Sequence, residues 1–161
     1  AYSLAKKTAE NLTLGYSKIY DIPVKILRGF TFLGPEINLN QNLAWTYILK
    51  CFLDGQDINI KNSECKRSYM YSTDLVNWII RVLVSARSGS IYNLGSDELI
   101  SLSDLAREVI KFNKGIKITE EISNTSDFYV PDISKIKNDL KLKITVPVKE
   151  GVRRVIHYYK E

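Results

Sequence analysis

Residues 1–20 read AYSLAKKTAENLTLGYSKIY, and residues 24–35 read VKILRGFTFLGP. In the first stretch, apolar residues recur at alternating intervals of three and four, which predicts an amphipathic helix. The stripe consists of Tyr2, Ala5, Ala9, Leu12, Tyr16 and Ile19. The second stretch follows Pro23, and its alternating apolar residues predict a strand that is covered on both faces and ends at a Gly34-Pro35 turn. Tyr2 and Lys6 lie one helical turn apart and therefore project from the same side of the first helix.

Helices and strands continue to alternate along the remainder of the chain, which is the pattern of an α/β fold. We predict further helices at 42–53, from near 74 to 84, from 101 or 103 to before Gly115, at 133–140 and from 148 onward. We predict strands at 57–61, 67–71, 90–94 and 117–119. The helix that ends near 84 is apolar nearly all round and is therefore expected to be deeply buried.

Composition limits the classes of protein that are plausible. The chain has 161 residues, 45% of them hydrophobic and 25% charged, which suits one domain with a core. The net charge is +5, but the basic residues are scattered, so a nucleic-acid partner is not favoured. No apolar run is long enough for a membrane span, and Cys51 and Cys65 lack metal-site spacing. We expect reduced thiols, no metal and a cytoplasmic location.

Six stretches taken together resemble the second half of an extended short-chain dehydrogenase/reductase of the nucleotide-sugar epimerase/dehydratase family. In order, they are YSLAKKTAE (2–10), RGFTFLGP (28–35), RSYMYSTDL (67–75), SIYNLGSDELISLSDLA (90–106), DISKIKNDLKL (132–142) and VKEGVRRVIHYY (148–159). Each motif alone is weak, but the six follow one another in the family's order and close to its spacing. The resemblance implies the C-terminal part of a Rossmann-type fold with a smaller α/β substrate-binding region.

The resemblance also implies a division of the chain. Residues 1–35 would be the last helix and strand of the cofactor domain, and residues 36–161 the substrate-binding region, with a late Rossmann element near 72–95. The sequence begins within a helix and contains no Gly-x-x-Gly-x-x-Gly turn for a pyrophosphate. We therefore expect the isolated chain to bind neither NAD nor NADP and to be inactive, while the full-length protein uses one of these cofactors.

In the family, the motif tyrosine moves a proton at the sugar and the motif lysine contacts the nicotinamide ribose; these positions are Tyr2 and Lys6 here. An unperturbed phenol titrates near pH 10, so a phenolic base at neutral pH needs a nearby cation. The alternative is a core tyrosine beside a surface lysine. Phe30 matches a position near the nicotinamide, although an ordinary strand-core residue fits it equally well.

Three residues match substrate-binding positions of the family. Thr31 stands where the family usually has asparagine, Asn42 matches a position that touches the nucleotide diphosphate, and Arg67 matches the pyrophosphate-binding arginine. Asn42 could instead cap the second helix. A guanidinium suits bidentate phosphate binding, which we prefer to a solvated surface charge for Arg67. We interpret Asp74 as a helix cap, with Ser72 or Thr73 as other candidates.

These matches predict the C-terminal part of an NAD(P)-dependent nucleotide-sugar epimerase or dehydratase that acts at the sugar C4. A 4,6-dehydratase-like enzyme or a 4-epimerase is favoured, and a 4-ketoreductase remains open. The alternative is a non-catalytic binding or structural module of the same fold. A homodimer is expected, and the isolated chain should self-associate through its first helix and the strand that follows.

Overall fold

The computed structural model describes residues 1–121 and 128–160, and within these ranges it contains six helices and nine short strands. The helices are α1 (Tyr2–Tyr20), α2 (Ala44–Leu53), α3 (Ser72–Ser85), α4 (Leu102–Ile110), α5 (Ser134–Leu140) and α6 (Val148–Tyr158). The strands are β1 (Ile26–Gly29), β2 (Phe32–Leu33), β3 (Ile58–Ile60), β4 (Lys66–Ser68), β5 (Met70–Tyr71), β6 (Ile91–Leu94), β7 (Leu99–Ser101), β8 (Ile118–Glu120) and β9 (Phe128–Tyr129). The predicted α/β alternation is confirmed. No helix in the described ranges is both long and apolar enough to cross a membrane.

Most of the strand pairs are parallel. β1 pairs with β6, β2 with β5 and β3 with β8, all in parallel, and β4 lies between antiparallel β7 and parallel β9. The single strand that was predicted from 24 to 32 is interrupted at Phe30 and Thr31. There the chain changes partners: the Phe30 N–H donates to the Leu94 carbonyl (3.0 Å), and the Thr31 carbonyl accepts from the Met70 N–H (3.0 Å).

Within the described ranges, the buried hydrophobic residues form two clusters. The larger joins α2, α4 and α6, and includes Trp45, Leu105 and Val152. The smaller joins α3 and α5 to β5 and β6, and includes Trp78 and Ile136. The proposed division of the chain at residue 35 stays a prediction.

The expectation that α3 is deeply buried on all sides is wrong. Its buried residues are Asp74, Trp78 and Val82, which recur every four positions along one side. On the opposite side lie five exposed aliphatic residues, namely Val76, Ile79, Ile80, Leu83 and Val84. The helix thus has two apolar faces, and the described chain covers one of them.

The first helix and the strand that follows it are exposed over much of their surface, as expected of the elements through which the chain should self-associate. α1 contains no buried residue, and the large apolar side chains of its predicted stripe are exposed. Glu10, Leu14 and Ser17 are half-buried, on a different side of the helix from Leu12 and Ile19. β1 is half-buried at its start and exposed at its end, so the prediction that it is covered on both faces is wrong.

The cap that was predicted for α2 is also wrong. Leu43, rather than Asn42, is the N-cap of α2, and Thr46 donates to the Gln41 carbonyl (2.6 Å) from the first turn. Ser101 does cap α4, because its hydroxyl accepts from the Asp104 N–H (2.9 Å).

Asp74 has a long-range role that its position at the start of α3 did not suggest. It is 1% exposed, and its carboxylate accepts from the N–H and hydroxyl of Thr145 and from the N–H of Val146. Ser72 and Thr73 give α3 no side-chain cap, since its N-cap is Tyr71. Asp74 therefore fastens the segment before α6 to the first turn of α3.

Candidate functional site

Tyr2 and Lys6 occupy the first turns of α1, as their spacing predicted. The Lys6 Nζ atom lies 5.6 Å from the centroid of the Tyr2 ring, and both side chains are exposed. An ammonium that lies over the face of an aromatic ring is attracted by the electrons of that ring. Both groups are accessible to a ligand.

An ion pair joins the helix that carries Tyr2 and Lys6 to β1. Arg28 donates from Nε to Glu10 Oε1 (2.8 Å) and from Nη2 to Glu10 Oε2 (2.7 Å). These two hydrogen bonds lower the pKa of the Glu10 carboxyl and raise the pKa of Arg28. Glu10 follows Lys6 by four residues and therefore projects from the same side of α1. The ion pair of Glu10 with Arg28 holds that side of the helix against β1.

Phe30 and Arg67 meet through a residue that sequence reasoning missed. The Tyr129 ring lies 4.9 Å from the Phe30 ring, centroid to centroid, and the Arg67 guanidinium carbon lies 5.9 Å from the Tyr129 centroid. Arg67 also donates to the Lys66 carbonyl (3.1 Å). The parallel pairing of β4 with β9 places Arg67 opposite Tyr129. A strand of two residues, Phe128 and Tyr129, is too short to carry a periodic signal that could have identified Tyr129.

Gly95, directly after β6, allows Phe30 to approach closely. A Cβ atom at this position would lie 3.2 Å from the Phe30 Cβ and 2.9 Å from Pro131 Cγ. Any larger residue would therefore push Phe30 or the segment before α5 out of place. Thr31 is half-buried beside Phe30, and its backbone connects β2 to β5.

Asn42 lines a separate cavity of about 550 Å³ between the start of α2 and β3. Leu43, Ile48 and Leu102 contribute apolar atoms to its wall. The polar contributors include Asn59 and Tyr47, whose hydroxyl accepts from the Asn59 backbone N–H (3.1 Å). A mostly apolar cavity with a few amide groups is typical of a small-molecule site.

The described contacts thus arrange the predicted residues in three groups: Tyr2 with Lys6, Phe30 and Thr31 with Arg67 through Tyr129, and Asn42 in its cavity. Within the described ranges, no cluster of histidine, cysteine and carboxylate side chains could hold a metal ion. The donors present are a phenol, an ammonium, a guanidinium and amides. These groups suit proton transfer and the binding of a phosphorylated polar ligand.

The family model described as the NAD dependent epimerase/dehydratase family matches residues 1–95. This chain belongs to that family. The match includes α1, which carries Tyr2 and Lys6, and β4, which carries Arg67, and it also includes Phe30 between β1 and β2. It confirms the resemblance that the six sequence motifs carried.

Curated relatives of this epimerase/dehydratase chain include two kinds of nucleotide-sugar enzyme. It is 28% identical to the dTDP-D-glucose 4,6-dehydratase of Homo sapiens over 99% of its own length and 48% of that protein. It is 26% identical to the UDP-glucuronic acid decarboxylase 1 of Xenopus tropicalis over 99% of its length and 39% of that protein. The chain therefore spans less than half the length of these relatives.

Solved structures of the family confirm the Rossmann-type fold. The UDP-glucuronic acid 4-epimerase from Bacillus cereus, in complex with UDP-glucuronic acid and NAD, has a TM-score of 0.83 and is 25% identical. The match covers 99% of this chain and 52% of that one. The protein RMD from Pseudomonas aeruginosa, complexed with NADPH, also has a TM-score of 0.83, at 16% identity and 56% coverage of its chain, and supports the fold alone.

Proposed function

We propose that this chain forms the substrate-binding and proton-transfer half of an NAD(P)-dependent nucleotide-sugar epimerase or dehydratase that acts at the sugar C4. One observation carries the proposal: the family match covers a helix on which Tyr2 and Lys6 present an exposed phenol and ammonium on one side. Relatives named as a 4,6-dehydratase and a 4-epimerase support these two activities.

Tyr2 is the proposed acid–base residue. Its phenolate takes the proton of the sugar C4 hydroxyl, so the O–H bond breaks as the C–O bond gains double-bond character. NAD(P), when bound, supplies the acceptor for the hydride that leaves C4. Lys6 stabilises the phenolate through its positive charge and offers three N–H donors for the hydroxyls of a ribose. The ion pair of Glu10 with Arg28 holds this side of α1 against β1.

The other two groups of residues are proposed to bind the substrate and cofactor. Arg67 binds the diphosphate, because a guanidinium donates in parallel to two phosphate oxygens. Phe30 provides an apolar surface for the nicotinamide, and Thr31 contacts the sugar. The Asn42 cavity, at about 550 Å³, is large enough for part of a nucleotide.

The cofactor phosphates need a glycine-rich turn that the 161 residues do not contain. We therefore propose that the active enzyme combines this chain with a cofactor-binding half, and that the chain alone binds neither NAD nor NADP. We also propose a homodimer in which α1 contributes its outer face. Leu12, Tyr16 and Ile19 line an open groove there beside Gly15, where a Cβ atom would meet nothing within 4 Å.

The test is Tyr2→Phe in the complete enzyme, with turnover measured on a panel of nucleotide sugars. General acid–base catalysis contributes a factor of about 100 to 10,000, so the rate should fall at least 100-fold while circular dichroism stays unchanged. Tyr20→Phe is the matched control, because this exposed tyrosine of the same helix lies outside the groove assigned to the homodimer and should have no effect. A Tyr2→Phe enzyme that keeps more than about a tenth of the wild-type rate would contradict the assignment and favour a non-catalytic module.

A further inference from the structure

The last turn of α6 contacts the loop that leads to Asn42. The Tyr158 hydroxyl donates a hydrogen bond to Glu36 Oε1 (2.7 Å), although the two residues are 122 positions apart in sequence. Glu36 belongs to residues 34–43, which connect β2 to α2 and which we call the Asn42 loop. The roles proposed above use neither Tyr158 nor Glu36.

Glu36 has a backbone conformation that is uncommon for its residue type. Its φ angle is +57°, in the left-handed region that residues with a Cβ atom seldom adopt. Such a conformation persists where surrounding contacts hold it, and it is enriched at functional sites. The hydrogen bond from Tyr158 is a contact of this kind. Because the Glu36 carboxylate accepts that proton, it also raises the pKa of Tyr158.

The side of α6 that carries Tyr158 packs closely on the strands next to the Asn42 loop. Gly151, Arg154 and Tyr158 follow i, i+3, i+7 spacing and therefore share this side. A Cβ atom at Gly151 would lie 2.8 Å from Leu33 Cδ1 and 3.1 Å from Tyr71 Cδ2. The Arg154 guanidinium carbon lies 5.7 Å from the Tyr71 ring centroid. This side of α6 thus passes the ends of β2 and β5 before it reaches the loop.

The far end of the Asn42 loop is held by α2. Thr46 is fully buried, and its hydroxyl donates to the Gln41 carbonyl (2.6 Å). Between the two ends, Ile37 and Leu39 pack against the larger hydrophobic cluster. Asn42 follows Gln41 directly, is exposed, and lines the cavity of about 550 Å³. The hydrogen bond from α6 and the hydrogen bond from α2 therefore hold the loop on either side of its apolar anchors.

We propose that Tyr158 and Glu36 are positioning residues for the substrate: their hydrogen bond fixes the start of the Asn42 loop and thereby holds Asn42 at the wall of its cavity. This inference rests on the proposed function, in which that cavity binds part of the nucleotide. The pair acts through Asn42 and touches no reacting atom. It should therefore affect the binding of the nucleotide and leave the proton transfer at Tyr2 unchanged.

The experiment introduces Tyr158→Phe into the complete enzyme and measures the dissociation constants of UDP and dTDP by calorimetry. The loss of one hydrogen bond should raise the dissociation constant of the nucleotide that binds by about threefold to tenfold. KM for the nucleotide sugar should rise in parallel, while kcat stays within about twofold, as expected when binding is lost equally from substrate and transition state. The melting temperature should not change, because the ring of residue 158 is kept.

Three further variants separate the hydrogen bond from other effects. Glu36→Gln keeps an oxygen that accepts from Tyr158 and should bind nucleotide almost as the wild type does. Glu36→Ala removes the acceptor, and its combination with Tyr158→Phe should be no weaker than either single variant, since both remove the same contact. Tyr159→Phe is the matched control, because the hydroxyl of this neighbouring tyrosine takes no part in the contact with Glu36.

Amide hydrogen exchange in the complete enzyme without nucleotide tests the position of the loop itself. The Gln41 N–H donates to the Asn38 carbonyl (3.2 Å), and the Leu43 N–H donates to the Gln41 carbonyl (2.9 Å). Both amides should exchange at least about threefold faster in Tyr158→Phe, because the loop opens more often. The Asp54 amide, which donates to the Lys50 carbonyl at the end of α2, is the internal control.

Unchanged exchange at these loop amides in Tyr158→Phe would overturn the inference, whatever the enzyme binds. So would faster exchange with unchanged nucleotide affinity, or a fall in kcat at constant KM. A wild-type enzyme that binds neither UDP nor dTDP would instead overturn the proposed function, and with it the part of the inference that concerns binding. The exchange measurement distinguishes the two failures, since it needs no nucleotide.

Discussion

At the scale of single residues, the sequence predicts Arg67 as a substrate-binding residue, and the structure adds that its side chain lies beside Tyr129. Its guanidinium lies above the Tyr129 ring, and that ring packs against Phe30. The aromatic face restricts where the guanidinium can lie. A planar guanidinium is the kind of group that the proposed diphosphate contact needs.

Removing this guanidinium should weaken substrate binding. Arg67→Ala is expected to weaken nucleotide-sugar binding to the complete enzyme by about 2–3 kcal/mol, the scale of a charge-assisted contact. Arg67→Lys keeps the charge but loses the planar fork, so its loss should be intermediate. Isothermal titration calorimetry gives the dissociation constants. Unchanged values for Arg67→Ala would assign the side chain to surface structure.

Asp74 affects the free energy of unfolding rather than binding. Its buried carboxylate accepts three hydrogen bonds from Thr145 and Val146, and Asp74→Ala leaves those donors unpaired. We expect a loss of about 3 kcal/mol in urea unfolding, whereas Thr145→Val, which removes one donor, should cost about 1 kcal/mol. Equal effects of the two substitutions would show that the carboxylate does not organise this segment.

At the scale of elements, α3 is the helix whose two sides differ most. Val82 is 1% exposed on the inner side and Val84 is 76% exposed on the outer side, two residues further along. Side chains two positions apart on a helix face different directions, so α3 has one face that packs in the core and one apolar face that is exposed.

This contrast predicts unequal costs for the same substitution. Val82→Ala should destabilise the isolated chain by about 2 kcal/mol, through lost burial and the cavity left behind. Val84→Ala should change stability by less than about 0.5 kcal/mol. Chemical denaturation of both variants is the measurement. Similar losses for the two would mean that the outer face is already covered in the free chain.

At the scale of the whole molecule, two apolar surfaces are exposed in the described ranges: the outer groove of α1 and the aliphatic side of α3. Contiguous exposed apolar surface of this kind usually marks an interaction site. The proposed homodimer uses the first surface.

Sedimentation equilibrium at micromolar concentration should therefore detect dimers of the isolated chain. Leu12→Glu, in the α1 groove, should convert them to monomers, because a buried dimer contact cannot tolerate unpaired carboxylates. Leu83→Glu is the control and should leave the dimer intact. NAD or NADP should not change the sedimentation profile. A wild-type monomer, or a dimer that survives Leu12→Glu, would exclude the α1 interface.

The sequence by itself determined the features that depend on neighbours within a few turns. The apolar spacing of α1, the Ser101 cap of α4 and the Tyr2–Lys6 pair are all local. Helical periodicity and side-chain caps act over three or four residues, so they can be identified in one dimension. The order of motifs along the chain then identified the family that the model match confirms.

Only the tertiary structure decided which residues meet across the fold. Tyr129 joins Phe30 and Arg67 because β9 pairs with β4, and Asp74 holds Thr145 because α3 crosses the segment before α6. The sequence likewise could not determine that one side of α3 stays exposed. The spacing of apolar residues along a helix is the same whether the surface that covers them lies in this chain or elsewhere. The hydrophobic effect depends on the apolar area that is buried and not on direction.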